Sequence, residues 1–109
     1  MTEPSADTAC CAALTDTALD VSGAAEPAAM FKALGDPVRL RLLSLITSAA
    51  DEICVCDLTT GFELTDATIS HHLKVLRKAG LIDGNRRGTW VYYRPVLENL
   101  RRLSALLSG

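Results

Sequence analysis

Residues 65–80, TDATISHHLKVLRKAG, decide the fold because they combine a helix start, one inward-facing set of side chains and a helix end. Thr65 is a good N-cap residue and Gly80 is a good C-terminal stop, so we expect a helix between them. One set of side chains recurs at the spacing of a single helical face, and we expect this face to pack inward. It consists of Ile69, His72, Leu73 and Leu76.

The remaining surface of this helix carries hydroxyls and an imidazole near its N-terminus and cations further along. Hydroxyl and imidazole groups reach base edges or phosphates, and cations neutralise the phosphate backbone, so the pattern suits a helix that enters the major groove of DNA. The candidate DNA contacts on this helix are Thr68, Ser70, His71, Lys74 and Arg77.

The segments on either side of the helix extend the pattern. A short helix predicted around residues 55–62, followed by a break at ELTD, makes a helix-turn-helix with the helix just described. Residues 81–95, LIDGNRRGTWVYYRP, place β-branched and aromatic residues around a glycine-containing turn, which predicts a two-stranded hairpin. Arg86 and Arg87 would lie at its tip, against a neighbouring phosphate or groove.

Further helices are predicted before and after this unit. Residues 26–35 form one, with Pro27 in its first turn, and residues 36–46 form the next, with Asp36 as the N-cap. The last helix, within residues 94–109, carries an apolar stripe that needs a partner. A dimer would supply that partner.

The domain organisation is simple. Residues 1–24 are rich in Ala, Thr, Ser and Asp without a sustained apolar period, so we expect a flexible arm, which carries Cys10 and Cys11. Residues 25–109 would form one small, mainly α domain with a β-hairpin.

Charge divides the chain into two halves. Residues 1–67 contain three basic and eleven acidic residues, a net charge of −8, whereas residues 68–109 contain eight basic and two acidic residues, a net charge of +6. A basic half on an acidic protein is typical of a local polyanion-binding face, and charge alone equally fits an ordinary solvated surface. The chain has no run long enough to span a membrane and no basic N-terminal flank of a signal peptide, so we expect a cytoplasmic protein without a membrane partner.

The four cysteines form two pairs, Cys10 with Cys11 and Cys54 with Cys56. Cytoplasmic thiols stay reduced, so these residues are candidate metal ligands or redox sensors rather than structural disulfides. Residues i and i+2 of a regular helix do not face each other, so Cys54 and Cys56 can share an ion only where a helix starts or is distorted. A helix N-terminus would also favour their thiolate form, although nearby carboxylates oppose this. The alternative is a pair of small, partly buried apolar residues.

Four segments together resemble the ArsR/SmtB family of metal-sensing, winged-helix transcriptional repressors: FKALGDPVRLRLLSLI (31–46), EICVCDL (52–58), ISHHLKVLRKAGLI (69–82) and RRGTWVYYRP (86–95). The resemblance covers roughly residues 28–108. It implies a dimeric winged helix-turn-helix that represses an operator in double-stranded DNA as a homodimer until metal binding releases it.

The resemblance also implies an inducer. ICVCDL is similar to the family's thiolate motif, but Thr59 occupies the position of a third cysteine found in the best-known arsenic sensors, so Cys10 or Cys11 would complete the site. As(III) or Sb(III) would take three thiolates, whereas Cd(II) or Pb(II) would take three or four. The arsenic assignment is favoured, and cadmium or lead remains the alternative. Zinc or nickel sensing at the last helix is disfavoured because that helix has no histidine.

Two other functions stay open. A thiol redox sensor would release DNA on oxidation of the cysteines. A small thiol enzyme or metal carrier would use the cysteines directly, but the sequence shows no nucleophile, base and oxyanion arrangement, so we expect a regulator and not an enzyme.

Overall fold

The computed structural model describes residues 18–108, so Cys10 and Cys11 lie outside the described residues. Within this range the chain is mainly helical, with one small antiparallel sheet. In chain order the elements are α1 (Val21–Leu34), α2 (Pro37–Ser48), β1 (Ile53–Cys54), α3 (Val55–Thr59), α4 (Asp66–Lys78), β2 (Ile82–Arg87), β3 (Trp90–Pro95) and α5 (Leu97–Ser108). This architecture confirms the predicted fold class: a helix-turn-helix, formed by α3 and α4, is followed by a β wing, formed by β2 and β3.

Helix α1 begins earlier than the sequence suggests. It starts at Val21, inside the segment 1–24 predicted as an arm, because the Asp20 carboxylate accepts a hydrogen bond from the Gly23 backbone N–H at 2.6 Å. Pro27 is therefore buried inside the helix, and its predicted place in the first turn is wrong. The predicted start of α2 is confirmed, since Asp36 accepts from the Val38 and Arg39 backbone N–H groups.

The helix-turn-helix is closed by local hydrogen bonds. The Thr65 hydroxyl caps α4 by accepting from the Thr68 N–H at 3.2 Å. At the other end the Gly80 N–H donates to the Arg77 carbonyl and the Leu81 N–H to the Leu76 carbonyl, which is a Schellman ending. Gly80 has a φ of +83°, a left-handed conformation that disfavours side chains with a Cβ. Helix α3 ends at Thr59, three residues before its predicted end.

The core joins the apolar faces of the helices to the start of the wing. Three of the four side chains predicted to face inward on α4 are buried, whereas His72 is only partly buried. The fully buried large side chains are Met30, Leu42, Ile46, Leu58, Ile69, Leu73, Leu76, Leu81 and Ile82.

The sheet has three strands in the order β1-β3-β2, one more than the predicted hairpin. Strand β1 pairs with β3, so that Ile53 lies opposite Tyr93 and Cys54 opposite Tyr92. A two-residue strand has too few residues to show an alternating pattern, which is why the sequence did not reveal it. The hairpin turn itself is as expected, with Gly88 at a φ of +65°.

Helices α1 and α5 line a common cleft. Arg102 of α5 forms an ion pair with Glu26 of α1 at 2.9 Å. Several large apolar side chains nearby are uncovered: Leu19, Val21, Leu106 and Leu107. None of the helices within residues 18–108 is long and apolar enough to cross a membrane.

Substitution of Gly80 by alanine tests the Schellman ending. A Cβ at this position would need the left-handed conformation and would lie 3.1 Å from Asn99 Nδ2. We expect Gly80→Ala to lower the free energy of unfolding by about 1–2 kcal/mol in urea titrations followed by circular dichroism.

Gly35→Ala is the matched control, because Gly35 also follows a helix but has an ordinary φ of −79°. It should change the free energy of unfolding much less. Equal losses in both variants would contradict the role given to the left-handed conformation.

Candidate nucleic-acid interface and thiol pair

The outer face of α4 carries every DNA contact that the sequence predicts on this helix. Burial of the opposite face turns these side chains outward, and all five are exposed: Thr68, Ser70, His71, Lys74 and Arg77. Thr68 also has a structural contact, since its hydroxyl lies 2.9 Å from that of Thr65 at the helix cap.

A cleft between α4 and the wing gathers the cations. Its volume is about 300 Å³. Three of its lining residues are basic and none is acidic, so its potential is positive. The lining consists of Ser70, Lys74, Arg77, Gly84, Arg86, Val91 and Tyr93. Four of the predicted DNA contacts therefore meet in one place, on two different elements.

The two wing arginines point to different partners. Arg86 lines the cleft and forms no ion pair with any residue that the structure describes. Arg87 donates from Nη2 to both carboxylate oxygens of Glu52, at 2.5 and 2.7 Å, and its Cζ lies 4.6 Å from the ring centroid of Tyr92. The different directions of Arg86 and Arg87 could have been predicted, because successive residues of a strand face opposite sides of the sheet. Nothing in the sequence indicated that Glu52 is the partner of Arg87.

His72 is a structural residue. Its Nδ1 lies 3.2 Å from Nη1 of Arg39, whose Nε donates to the Ala33 carbonyl at 2.6 Å. The backbone N–H of Arg39 hydrogen-bonds to Asp36 and, as the largest effect, lowers the pKa of that carboxyl. This network ties α4 to the start of α2. The sequence analysis placed His72 on the inward face of the helix but did not identify Arg39 as its partner.

The structure brings the sulfurs of Cys54 and Cys56 within 2.7 Å of each other, as free thiols. Cys54 is the extended N-cap residue of α3, with φ −71° and ψ 143°, and Cys56 lies in the first turn. This is the distorted helix start at which two such residues can converge. Cys54 is buried, whereas Cys56 is partly exposed and lines a cleft that also contains Ser70 and Trp90.

The surroundings of the thiol pair disfavour the thiolate form of Cys56. The hydrogen bond between the two side chains, burial, and the charges of Cys54 and Asp57 raise the pKa of the Cys56 thiol. For Cys56 the effects that oppose the helix start therefore prevail, and they include the charge of Asp57, one of the nearby carboxylates. A soft cation that binds both sulfurs would displace their protons.

The donor set suits a soft or borderline ion, since both donors are sulfur. No group of three or more His, Cys, Asp or Glu side chains arranged to hold a metal occurs within residues 18–108. Thr59, at the position of the missing third cysteine, hydrogen-bonds to the Cys56 carbonyl at 3.1 Å. The remaining predicted ligands, Cys10 and Cys11, lie outside the described residues.

The model of the arsR family of bacterial regulatory proteins matches residues 36–83, which include the thiol pair and α4. A winged helix-turn-helix domain of a possible ArsR-family regulator from Mycobacterium bovis, solved as a homodimer, is 32% identical. That match has a TM-score of 0.66 and covers 84% of this chain and 86% of the other. The chain belongs to the arsR family. This confirms the resemblance and identifies a regulator, not an enzyme.

Two further relatives are regulators of arsenic and of cadmium resistance. The arsenic resistance transcriptional regulator ArsR1 of Pseudomonas putida is 42% identical over 83 residues, or 76% of this chain. The cadmium resistance regulator CadC of Listeria innocua is 37% identical over 79 residues, or 72% of this chain. In each case the match spans 64% of the relative's length, less than two thirds.

The cleft between α4 and the wing generates a prediction for DNA binding. We expect Lys74→Ala and Arg86→Ala each to weaken binding to the chain's own promoter DNA. Each should reduce the slope of log K against log salt by about 1, because each removes one phosphate-neutralising charge. Fluorescence anisotropy at a series of salt concentrations measures both quantities.

Arg101→Ala is the matched control, because it removes an exposed cation from α5, outside the cleft. Its salt slope should equal that of the unmodified protein. An equal loss in all three variants would show that net charge alone, rather than this cleft, drives binding.

Proposed function

We propose that the chain is a cytoplasmic, homodimeric transcriptional repressor that leaves its operator when As(III) or Sb(III) binds its cysteine thiolates. The observation that carries this proposal is the proximity of two converging thiols to a cation-lined DNA face. Cys56 and Ser70 line the same cleft, so the thiol pair borders the helix that would enter the major groove.

The DNA face would combine α4 with one side of the wing. Hydroxyl and imidazole groups of Thr68, Ser70 and His71 would approach base edges or phosphates, while the cations hold the backbone. Lys74, Arg77 and Arg86 supply these cations from the cleft. The positive charge of residues 68–109 supports this assignment.

Dimerisation would cover the apolar surface of α1 and α5. Val21 is 91% exposed and Leu107 75%. Two further exposed leucines, Leu19 and Leu106, line a cleft of about 330 Å³ between the two helices. A group of exposed apolar side chains of this kind favours association of two protein surfaces. Two copies would place their α4 helices about 34 Å apart, one turn of the DNA helix.

The inducer site would contain Cys54 and Cys56, completed by Cys10 or Cys11. Trivalent arsenic and antimony take three thiolates, so the pair needs at least one further sulfur. Thiolate ligation is worth on the order of 10 kcal/mol, which exceeds the coupling of about 1–3 kcal/mol typical of allosteric release. The arsenic resistance role of the Pseudomonas relative supports this inducer, and the cadmium role of the Listeria relative supports Cd(II) or Pb(II) as the alternative.

A second candidate is redox sensing by the same thiols. The two sulfurs lie 2.7 Å apart as free thiols. Peroxide would take two electrons and two protons from them, forming a disulfide and water.

The decisive experiment is anisotropy of reduced protein on its promoter DNA, titrated with arsenite, with cadmium and with peroxide. We expect near-stoichiometric arsenite to release the DNA. Cys54→Ser and Cys56→Ser should retain DNA binding but lose at least about tenfold in arsenite response, because each removes a thiolate. The double variant Cys10→Ser, Cys11→Ser should also lose most of the response.

Thr59→Ser is the control, because it changes a neighbouring residue of α3 without removing sulfur. It should respond as the unmodified protein does. Release by cadmium alone would move the proposal to a divalent-metal sensor, release by peroxide alone would favour redox sensing, and normal arsenite release from Cys54→Ser would refute the site.

A further inference from the structure

An ion pair joins the thiol segment to the tip of the wing. Glu52 directly precedes β1, two residues before Cys54, and its carboxylate receives both hydrogen bonds from Arg87 Nη2. The Glu52 side chain is 23% exposed and that of Arg87 52%, so solvent reaches the pair mainly from the arginine side. The sequence separation of 35 residues shows that the contact exists only in the folded chain.

The same arginine is tied to the thiol segment by a second route. Its guanidinium lies over the ring of Tyr92, and Tyr92 is the residue opposite Cys54 in the β1–β3 pairing. Arg87 thus contacts two neighbours of Cys54: Glu52, two positions earlier in the chain, and Tyr92, which lies opposite Cys54 in the sheet. A displacement of Cys54 would act on both contacts.

These contacts set Arg87 apart from its neighbour Arg86. Arg86 faces the cleft beside α4, whereas Arg87 lies on the other side of the strand with its charge already neutralised by Glu52. To bind a DNA phosphate, Arg87 would first have to leave Glu52. Its position therefore suits a tether that orients the wing better than it suits a phosphate anchor.

An ion bound to both thiols would replace the direct contact between them, in which the two sulfurs lie 2.7 Å apart. Cys54 lies in strand β1 and Cys56 in the first turn of α3, so such an ion would link the two elements.

We propose that the Glu52–Arg87 ion pair transmits occupancy of the Cys54–Cys56 site to the wing, and so contributes to DNA release. This inference rests on the proposed function, since it describes how the same thiol site is coupled to DNA. Glu52 is a positioning residue in this scheme: it acts on DNA through Arg87 and does not bind the inducer.

The test compares coupling factors, defined as the Kd for promoter DNA with saturating arsenite divided by the Kd without arsenite. The unmodified protein, Glu52→Gln, Arg87→Gln and the double variant are measured by anisotropy as full-length reduced proteins. We expect each single variant to lower the coupling factor about fivefold, and the double variant to lower it no further, because the two residues act as one unit.

A second readout separates coupling from inducer binding. The affinity of the DNA-free proteins for arsenite, followed by the near-ultraviolet absorbance of arsenic–sulfur bonds, should differ by less than about twofold. Asp83→Asn is the matched control. It removes a carboxylate from another ion pair of the same hairpin, Asp83–Arg94 at 3.6 Å, which does not touch the thiol segment. Its coupling factor should equal that of the unmodified protein.

The remaining outcomes overturn the inference in distinct ways. An unchanged coupling factor in Glu52→Gln, with normal release of the unmodified protein, refutes this inference alone. Loss of arsenite binding in Glu52→Gln would place Glu52 in the inducer site. Equal weakening of DNA binding by Arg87→Gln with and without arsenite would make Arg87 a phosphate anchor. Absence of arsenite release from the unmodified protein refutes the proposed function and this inference together.

Discussion

Helix α4 has one apolar side, and the burial of that side against α2 sets where its other side chains point. Ile69, Leu73 and Leu76 are almost completely buried with Leu42 and Ile46 of α2. Because a helix is rigid, burial of three residues at this spacing fixes the direction in which its other side chains point. The outward direction of Lys74 and its neighbours is thus a consequence of hydrophobic packing, and the wing extends the same surface because Leu81 and Ile82 join the same core.

The parts of this architecture that could be predicted from the sequence are those that repeated local signals specify. Asp36, Thr65 and Gly80 mark helix boundaries by well-understood hydrogen bonds, and the apolar spacing of α4 defines its inner face. The convergence of Cys54 and Cys56 also followed from local reasoning, because only a helix start lets residues two apart share an ion. These features depend on a few neighbouring residues.

The features that were missed depend on contacts between distant parts of the chain. Strand β1 is defined by its pairing with β3, and the partner of Arg87 comes from 35 residues away. The early start of α1 was missed for a different reason: Asp20 is a weak signal in a segment otherwise poor in apolar residues. Propensity and periodicity contain no information on pairs of residues so far apart in the chain.

The thiol pair lies outside the main hydrophobic cluster, which bears on what substitution of the two cysteines would change. Cys54 is buried, but neither cysteine belongs to the main cluster of buried side chains, which orients α4. If the proposed function holds, a chain without these thiols would keep the packed cluster and the outer surface of α4 but would no longer respond to the inducer. On the same proposal, exchange of a few residues around the pair would alter the ligand preference without changing the cluster.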